Sequence, residues 1–120
     1  GQRTARDIVT RLKKSVKPNA AAIPSWVDAG PYMPDPALLT QDLSVIQHIM
    51  WNWVVLVRTT RRLNRALREL RQLEIETERF YRATRVTDEL IGLRNAVRCA
   101  ILVTEAAWEN KVSMGCHFRE

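Results

Sequence analysis

Apolar residues recur at helical spacing in several stretches of the chain, separated by segments where the period is lost. In residues 1–16, Ala5, Ile8, Val9 and Leu12 fall on one face while Arg3, Arg6, Lys13 and Lys14 lie mostly elsewhere, which predicts a short amphipathic helix. No capping residue precedes it, so the chain is expected to be cut from a longer protein just upstream. Residues 17–39 keep no period. Pro18, Pro24, Pro31, Pro34 and Pro36 each remove a backbone donor and bias the preceding residue away from helix, giving an irregular connector. Ile23, Trp26, Tyr32 and Met33 are its candidate apolar anchors.

Residues 40–111 carry the main pattern. Thr40 reads as an N-cap with Asp42 in the first turn, followed by Leu43, Ile46, Met50, Trp53 and Val57 on one face. The β-branched run near Val54 and the pair Thr59–Thr60 then predict a bend or break between Val54 and Thr60. A second helix places Leu63, Leu67, Leu70, Leu73 and Phe80 or Tyr81 inward, and fades near Arg82. Thr87, Asp88 and Glu89 open a third, whose Leu90, Leu93, Val97, Ala100, Ile101, Thr104, Ala107 and Trp108 trace the cleanest stripe. Residues 112–120 form a polar tail. The expected fold is all-α: a three-helix bundle preceded by a short helix and a long proline-rich loop, with short connections making successive helices antiparallel.

Composition agrees with this. A length of 120 residues, 46% hydrophobic and 27% charged, suits one compact core, and only four glycines argue against a turn-rich β fold. Cys99 and Cys116 lack metal-ligand spacing and read as free thiols in a reducing compartment. No signal-peptide pattern is present, and no apolar run nears the ~20 residues needed to span a bilayer, so a soluble protein without a membrane partner is expected. The net charge of +6 raises nucleic acid as a partner. Arg58, Arg61, Arg62, Arg65, Arg68 and Arg71 cluster with only Glu69 against them. No aromatic RNA motif or zinc pattern accompanies them, and a basic face meeting an acidic protein surface explains the same residues.

Few residues could carry chemistry. His117 and Arg119, beside Gly115 and Cys116, combine a group titrating near neutrality with a carboxylate-binding fork. Adjacent Cys116 and His117 point to different sides of the chain and do not make a nucleophile–base pair. His48 reads as a helix-surface histidine, and Glu74, Glu76 and Glu78 as a solvated face. No phosphate loop, metal spacing or triad is present, so the residues alone describe a helical module with no catalytic, cofactor-binding or metal-binding residue of its own.

The segments GQRTARDI (1–8), IPSWVDAG (23–30), MWNWVVLVRTTRRL (50–63), LRNAVRCAILVTEAA (93–107) and SMGCHFRE (113–120) together resemble the C-terminal part of the L-aspartate oxidases. This family lies within the succinate dehydrogenase and fumarate reductase flavoprotein group. The spacing of Met50, Trp51, Val54, Val57, Arg58, Arg62 and Leu63 favours the aspartate oxidases over their succinate-handling relatives. The resemblance implies an FAD enzyme that oxidises L-aspartate to iminoaspartate for NAD biosynthesis, in the cytoplasm or a plant plastid. It also implies that FAD and substrate are held by an upstream flavin domain, the expected partner, with quinolinate synthase as a further candidate. Residues 1–16 would then be the end of that flavin domain, and Arg58, His117 and Arg119 candidate contacts with it. Two departures stand out. Val55 occupies a usual glycine position, which weakens the case for a sharp break. Val112 and Met114 replace a charged Glu and Arg in a tail that otherwise keeps Ser113, Gly115, His117 and Arg119.

Overall fold

The computed structural model describes residues 1–12, 19–25, 27 and 30–120. The predicted end of the leading helix and the Trp26 anchor therefore lie outside the described residues. Helix α1 (Gln2–Leu12) has the expected apolar stripe, yet none of its residues is buried. A 3-10 turn (Ala20–Ala22) follows, its N-terminus capped by the Asn19 side chain, which accepts from the Ala21 N–H.

The connector meets the bundle at the far end of α3 (Thr60–Ala83), and backbone groups make that contact. Gly30 lies so close to the last turn of α3 that a Cβ built on it would sit 2.0 Å from the Ala83 carbonyl oxygen. Two residues on, the Tyr32 carbonyl accepts from the Arg85 N–H at 2.8 Å. Pro34 is buried, whereas Ile23, Tyr32 and Met33 are at least 66% exposed. Of the apolar side chains expected to anchor the connector, the three that are described therefore do not do so within this chain.

Helix α2 (Pro36–Ile49) begins earlier than read from the sequence, its N-cap falling five residues before the expected cap Thr40. Its cap is Asp35, whose carboxylate accepts from the Ala37 N–H at 2.9 Å, and Pro36 takes the first helical position, where its missing N–H costs nothing. Thr40 instead turns its hydroxyl back to the Pro36 carbonyl inside the helix. Asp42 thus lies beyond the first turn, and burial, helped by the nearby Glu76 carboxylate, raises its pKa rather than stabilising its charge.

Beyond Ile49 the helix widens into a π turn (Met50–Val54). Its extra residue rotates the apolar face, so Val54 becomes the buried residue while Val57 is 44% exposed. The predicted break follows at once: Val55 has φ −62° and ψ −103°, a two-residue strand β1 (Val57–Arg58) follows, and Thr59 caps α3. Valine accommodates this break because its φ stays negative.

Helices α3 and α4 (Asp88–Glu109) form an antiparallel hairpin. Leu63, Ala66, Leu70 and Leu73 from α3 and Leu90, Leu93, Val97, Ala100, Ile101 and Ala107 from α4 close over Leu39, Ile46, Ile49 and Val54. The stripe read for α4 is correct except for Trp108, which is 38% exposed and covered by the Lys111 ammonium. Thr87 caps α4 by accepting from the Leu90 N–H at 3.3 Å. The Glu89 carboxylate is held below the usual range, chiefly by its own backbone N–H and then by the Thr87 hydroxyl. Among the described residues no helix is long and apolar enough to cross a membrane.

Glu74 and Glu78 are not simply solvated. They lie four apart on one face of α3, where Glu78 meets Arg94 and Arg98 of α4, both at 2.6 Å, and Glu74 meets Arg71 at 3.5 Å and Arg98 at 4.0 Å. Arg71 also pairs with Glu105, and Arg94 stacks on Tyr81. This ladder runs along the antiparallel pair beside the shared apolar core. The hydrogen bond from Arg94 leads the causes that lower the Glu78 pKa. A carboxylate whose folded pKa is depressed adds stability above its unfolded pKa, and that stability is lost as pH falls through the folded value. Glu78→Gln is therefore expected to lower stability at neutral pH by on the order of 1 kcal/mol in urea titrations, with the difference from the parent chain vanishing in acid.

Candidate functional site

A polar cluster that joins distant parts of the chain lies where it breaks between α2 and α3 and where the tail returns to that break. Gly115, with φ +57°, turns the tail so that Met114 and His117 exchange backbone hydrogen bonds at 2.9 and 3.0 Å. A positive φ at the first central residue suits glycine, as in a II′ turn. The turn delivers strand β2 (Phe118–Arg119) alongside β1 in parallel, Val57 opposite Phe118 and Arg58 opposite Arg119. The Phe118 N–H donates to the Leu56 carbonyl at 3.1 Å and the Glu120 N–H to the Arg58 carbonyl at 3.0 Å. Sequence periodicity gave no sign of this pairing, because a two-residue strand carries no period.

The three residues singled out from the sequence meet here. Arg58 donates from Nε to the Val54 carbonyl at 2.7 Å and from Nη1 to Nδ1 of His117. His117 in turn places Nε2 at 3.1 Å from the Asn110 carbonyl, at the end of α4. The tautomer follows from these partners. A guanidinium can only donate, so Nδ1 must offer its lone pair, and a carbonyl can only accept, so Nε2 carries the proton. His117 is thus a neutral bridge between the break and the end of α4. Arg119 donates from Nη2 to the Thr60 hydroxyl at 3.0 Å and from its backbone N–H to Ser113 Oγ at 3.0 Å, while its Nη1 is buried without a partner. All three side chains bind their own chain.

Around this polar knot the surface is apolar. Leu56, Val57, Val112, Met114 and Phe118 are each at least 44% exposed. The arginine run on the first turns of α3 is partly neutralised: Arg65 pairs with Glu69 and covers the Trp53 ring, and Arg71 joins the α3–α4 ladder. Arg61, Arg62 and Arg68 remain exposed on that face. His48 sits apart on α2, where its Nδ1 lies 2.8 Å from the Ser44 carbonyl.

One groove elsewhere on the bundle does not suit a cofactor. A groove of about 340 Å³ between the starts of α2 and α4 is lined by Pro36, Leu39, Thr40, Leu43, Glu89, Gly92 and Leu93. Its lining is apolar, with one carboxylate and one hydroxyl, and offers no cation or glycine turn for a diphosphate, so these residues do not fit a flavin dinucleotide. No cluster of three metal-capable side chains occurs among the described residues. Cys99 and Cys116 are exposed free thiols.

Arg58 is expected to matter first for stability. Arg58→Ala strips the donor from the Val54 carbonyl and should cost about 1–3 kcal/mol in urea unfolding. Arg58→Lys should recover only part of that, because one ammonium cannot reproduce the two-armed fork. An alanine variant as stable as the parent would show that the contacts at the break carry no energy.

Comparison with known proteins places these features in context. The family model described as fumarate reductase flavoprotein C-term matches residues 44–120. The chain is 35% identical over 119 residues to an L-aspartate oxidase of Yersinia pestis and 34% identical to one of Acinetobacter baylyi, in both cases over 98% of this chain and 22% of the relative. It is 39% identical over 80 residues to a chloroplastic L-aspartate oxidase of Oryza sativa, covering 62% of this chain. The chain therefore spans about a fifth of the length of the bacterial relatives it matches.

Proposed function

The chain belongs to the fumarate reductase flavoprotein C-terminal family, and on that premise we propose that it is the C-terminal helical domain of an FAD-dependent L-aspartate oxidase. The observation that carries this reading is similarity to L-aspartate oxidases along 98% of the chain, with tail and break both included. The activity of the whole protein would be oxidation of L-aspartate to iminoaspartate, feeding NAD biosynthesis, in the cytoplasm or, in a plant, the plastid. FAD, where bound, accepts the hydride, and the dinucleotide would be held by an upstream flavin domain.

The contribution of these residues is mechanical. The α3–α4 hairpin and its ion-pair ladder make a rigid body, and the β1–β2 junction fixes its exposed end. We assign the surface of Leu56, Val57 and Phe118, framed by Arg58, His117 and Arg119, to contact with that flavin domain. Its apolar centre and polar border have the composition of a protein interface. Quinolinate synthase is a further partner consistent with the proposed pathway. The 120-residue chain on its own would turn over nothing.

A second reading, the flavoprotein subunit of a succinate dehydrogenase or fumarate reductase, draws on the family description itself. The two separate on substrate. The full-length protein containing these residues should show a flavin spectrum and release peroxide with L-aspartate, and should not reduce dye with succinate. Flavin with succinate turnover alone would move it to the second reading, and absence of flavin would overturn both.

A further inference from the structure

The geometry of His117 points to a proton-operated latch on the tail, a device that does not depend on the enzyme assignment. In its neutral form the ring accepts from Arg58 Nη1 at Nδ1 and donates from Nε2 to the Asn110 carbonyl, so a single imidazole ties β1, the end of α4 and the tail together. A proton taken from solvent has one place to go, Nδ1, since Nε2 already carries its hydrogen. There it removes the acceptor that Arg58 uses and sets an imidazolium directly against a guanidinium.

The elements meeting at the ring supply little to offset that repulsion. Arg58 comes from β1, and Arg119, opposite Arg58 in the strand register, adds a second positive charge. Glu109 and Lys111 flank Asn110, with the Lys111 ammonium donating to the Trp108 carbonyl. Cys116 and Glu120 complete the tail, both exposed, and the Glu120 backbone N–H is bonded to the Arg58 carbonyl. No carboxylate is within ion-pair distance of His117 among the described residues, so protonation gains no partner there.

What protonation releases is small and separable from the core. The tail holds β1 by two backbone hydrogen bonds, and besides His117 it is tied to the rest of the chain by Arg119 Nη2 donating to the Thr60 hydroxyl and by the Val112 N–H donating to Asn110 Oδ1. None of residues 112–120 belongs to the buried core. Loss of the imidazole bridge therefore frees β2 while α2, α3 and α4 remain packed, opening the face that carries Arg58 and Thr60.

The test is amide hydrogen exchange by NMR on the 120-residue chain across the pH range in which imidazoles ionise, about 8 to about 5. Protection factors, corrected for intrinsic exchange, are read at Phe118 and Glu120 on the tail and at Leu70 and Leu90 in the core. The latch requires Phe118 and Glu120 to lose protection about tenfold or more, in step with the His117 ring shifts, while Leu70 and Leu90 stay protected. In His117→Gln the side-chain amide can accept from Arg58 and donate to Asn110 without titrating, so tail protection should become independent of pH. Long-range nitrogen–proton spectra at high pH should show the proton on Nε2. A proton on Nδ1, unchanged tail protection through the His117 titration, or the same pH-dependent loss in His117→Gln would each overturn the proposal.

Discussion

The architecture depends on satisfying the backbone where the first bundle helix stops. Between Val54 and Thr59 the chain leaves helical geometry next to the core, and the carbonyls of Val54, Leu56 and Arg58 lose their helical donors. Each finds a replacement: the Arg58 guanidinium for Val54, and the Phe118 and Glu120 N–H groups for Leu56 and Arg58. Two of these donors come from the tail, about sixty residues later in the chain. A break in the middle of the sequence and a strand at its end are therefore one structural unit. Gly115, which turns the tail, and His117, which links Arg58 to Asn110, are the side-chain conditions for that unit.

The helices were legible because their stripes are long. Seven of the eight residues read as the inner face of α4 are buried, as are Leu63, Leu70 and Leu73 of α3, since a regular helix over five or six turns leaves little freedom of phase. The first bundle helix was less so. Its start is obscured because Asp35–Pro36, an N-cap followed by proline at the first helical position, lies within the proline-rich stretch. Its inner face was then misphased at the far end by the π turn, which periodicity assuming 3.6 residues per turn cannot register. The parallel pairing of β1 with β2 left no local trace at all.

At the candidate site the sequence supplied the residues and the structure supplied their relation. Arg58, His117 and Arg119 were identified as charged or titrating residues facing outward to another domain, but each is first engaged by its own chain. What remains for a partner is the apolar surface they frame. Val112 and Met114 lie on it, where the resemblance had led to an expectation of lost charge rather than gained apolar area. The chain matches about a fifth of its bacterial relatives' length, and on the proposed reading this surface is where it packs against the rest of the protein.

That role is most directly tested by comparing hydrogen exchange, read by mass spectrometry, in the 120-residue chain and in the full-length protein containing it. A supporting domain that uses the β1–β2 end as its interface should gain protection in peptides covering residues 54–60 and 112–120 in the full-length protein, with the outer face of α4 unchanged. Equal exchange at the β1–β2 end in both would contradict the account, and protection gained only elsewhere would move the interface to another face of the bundle.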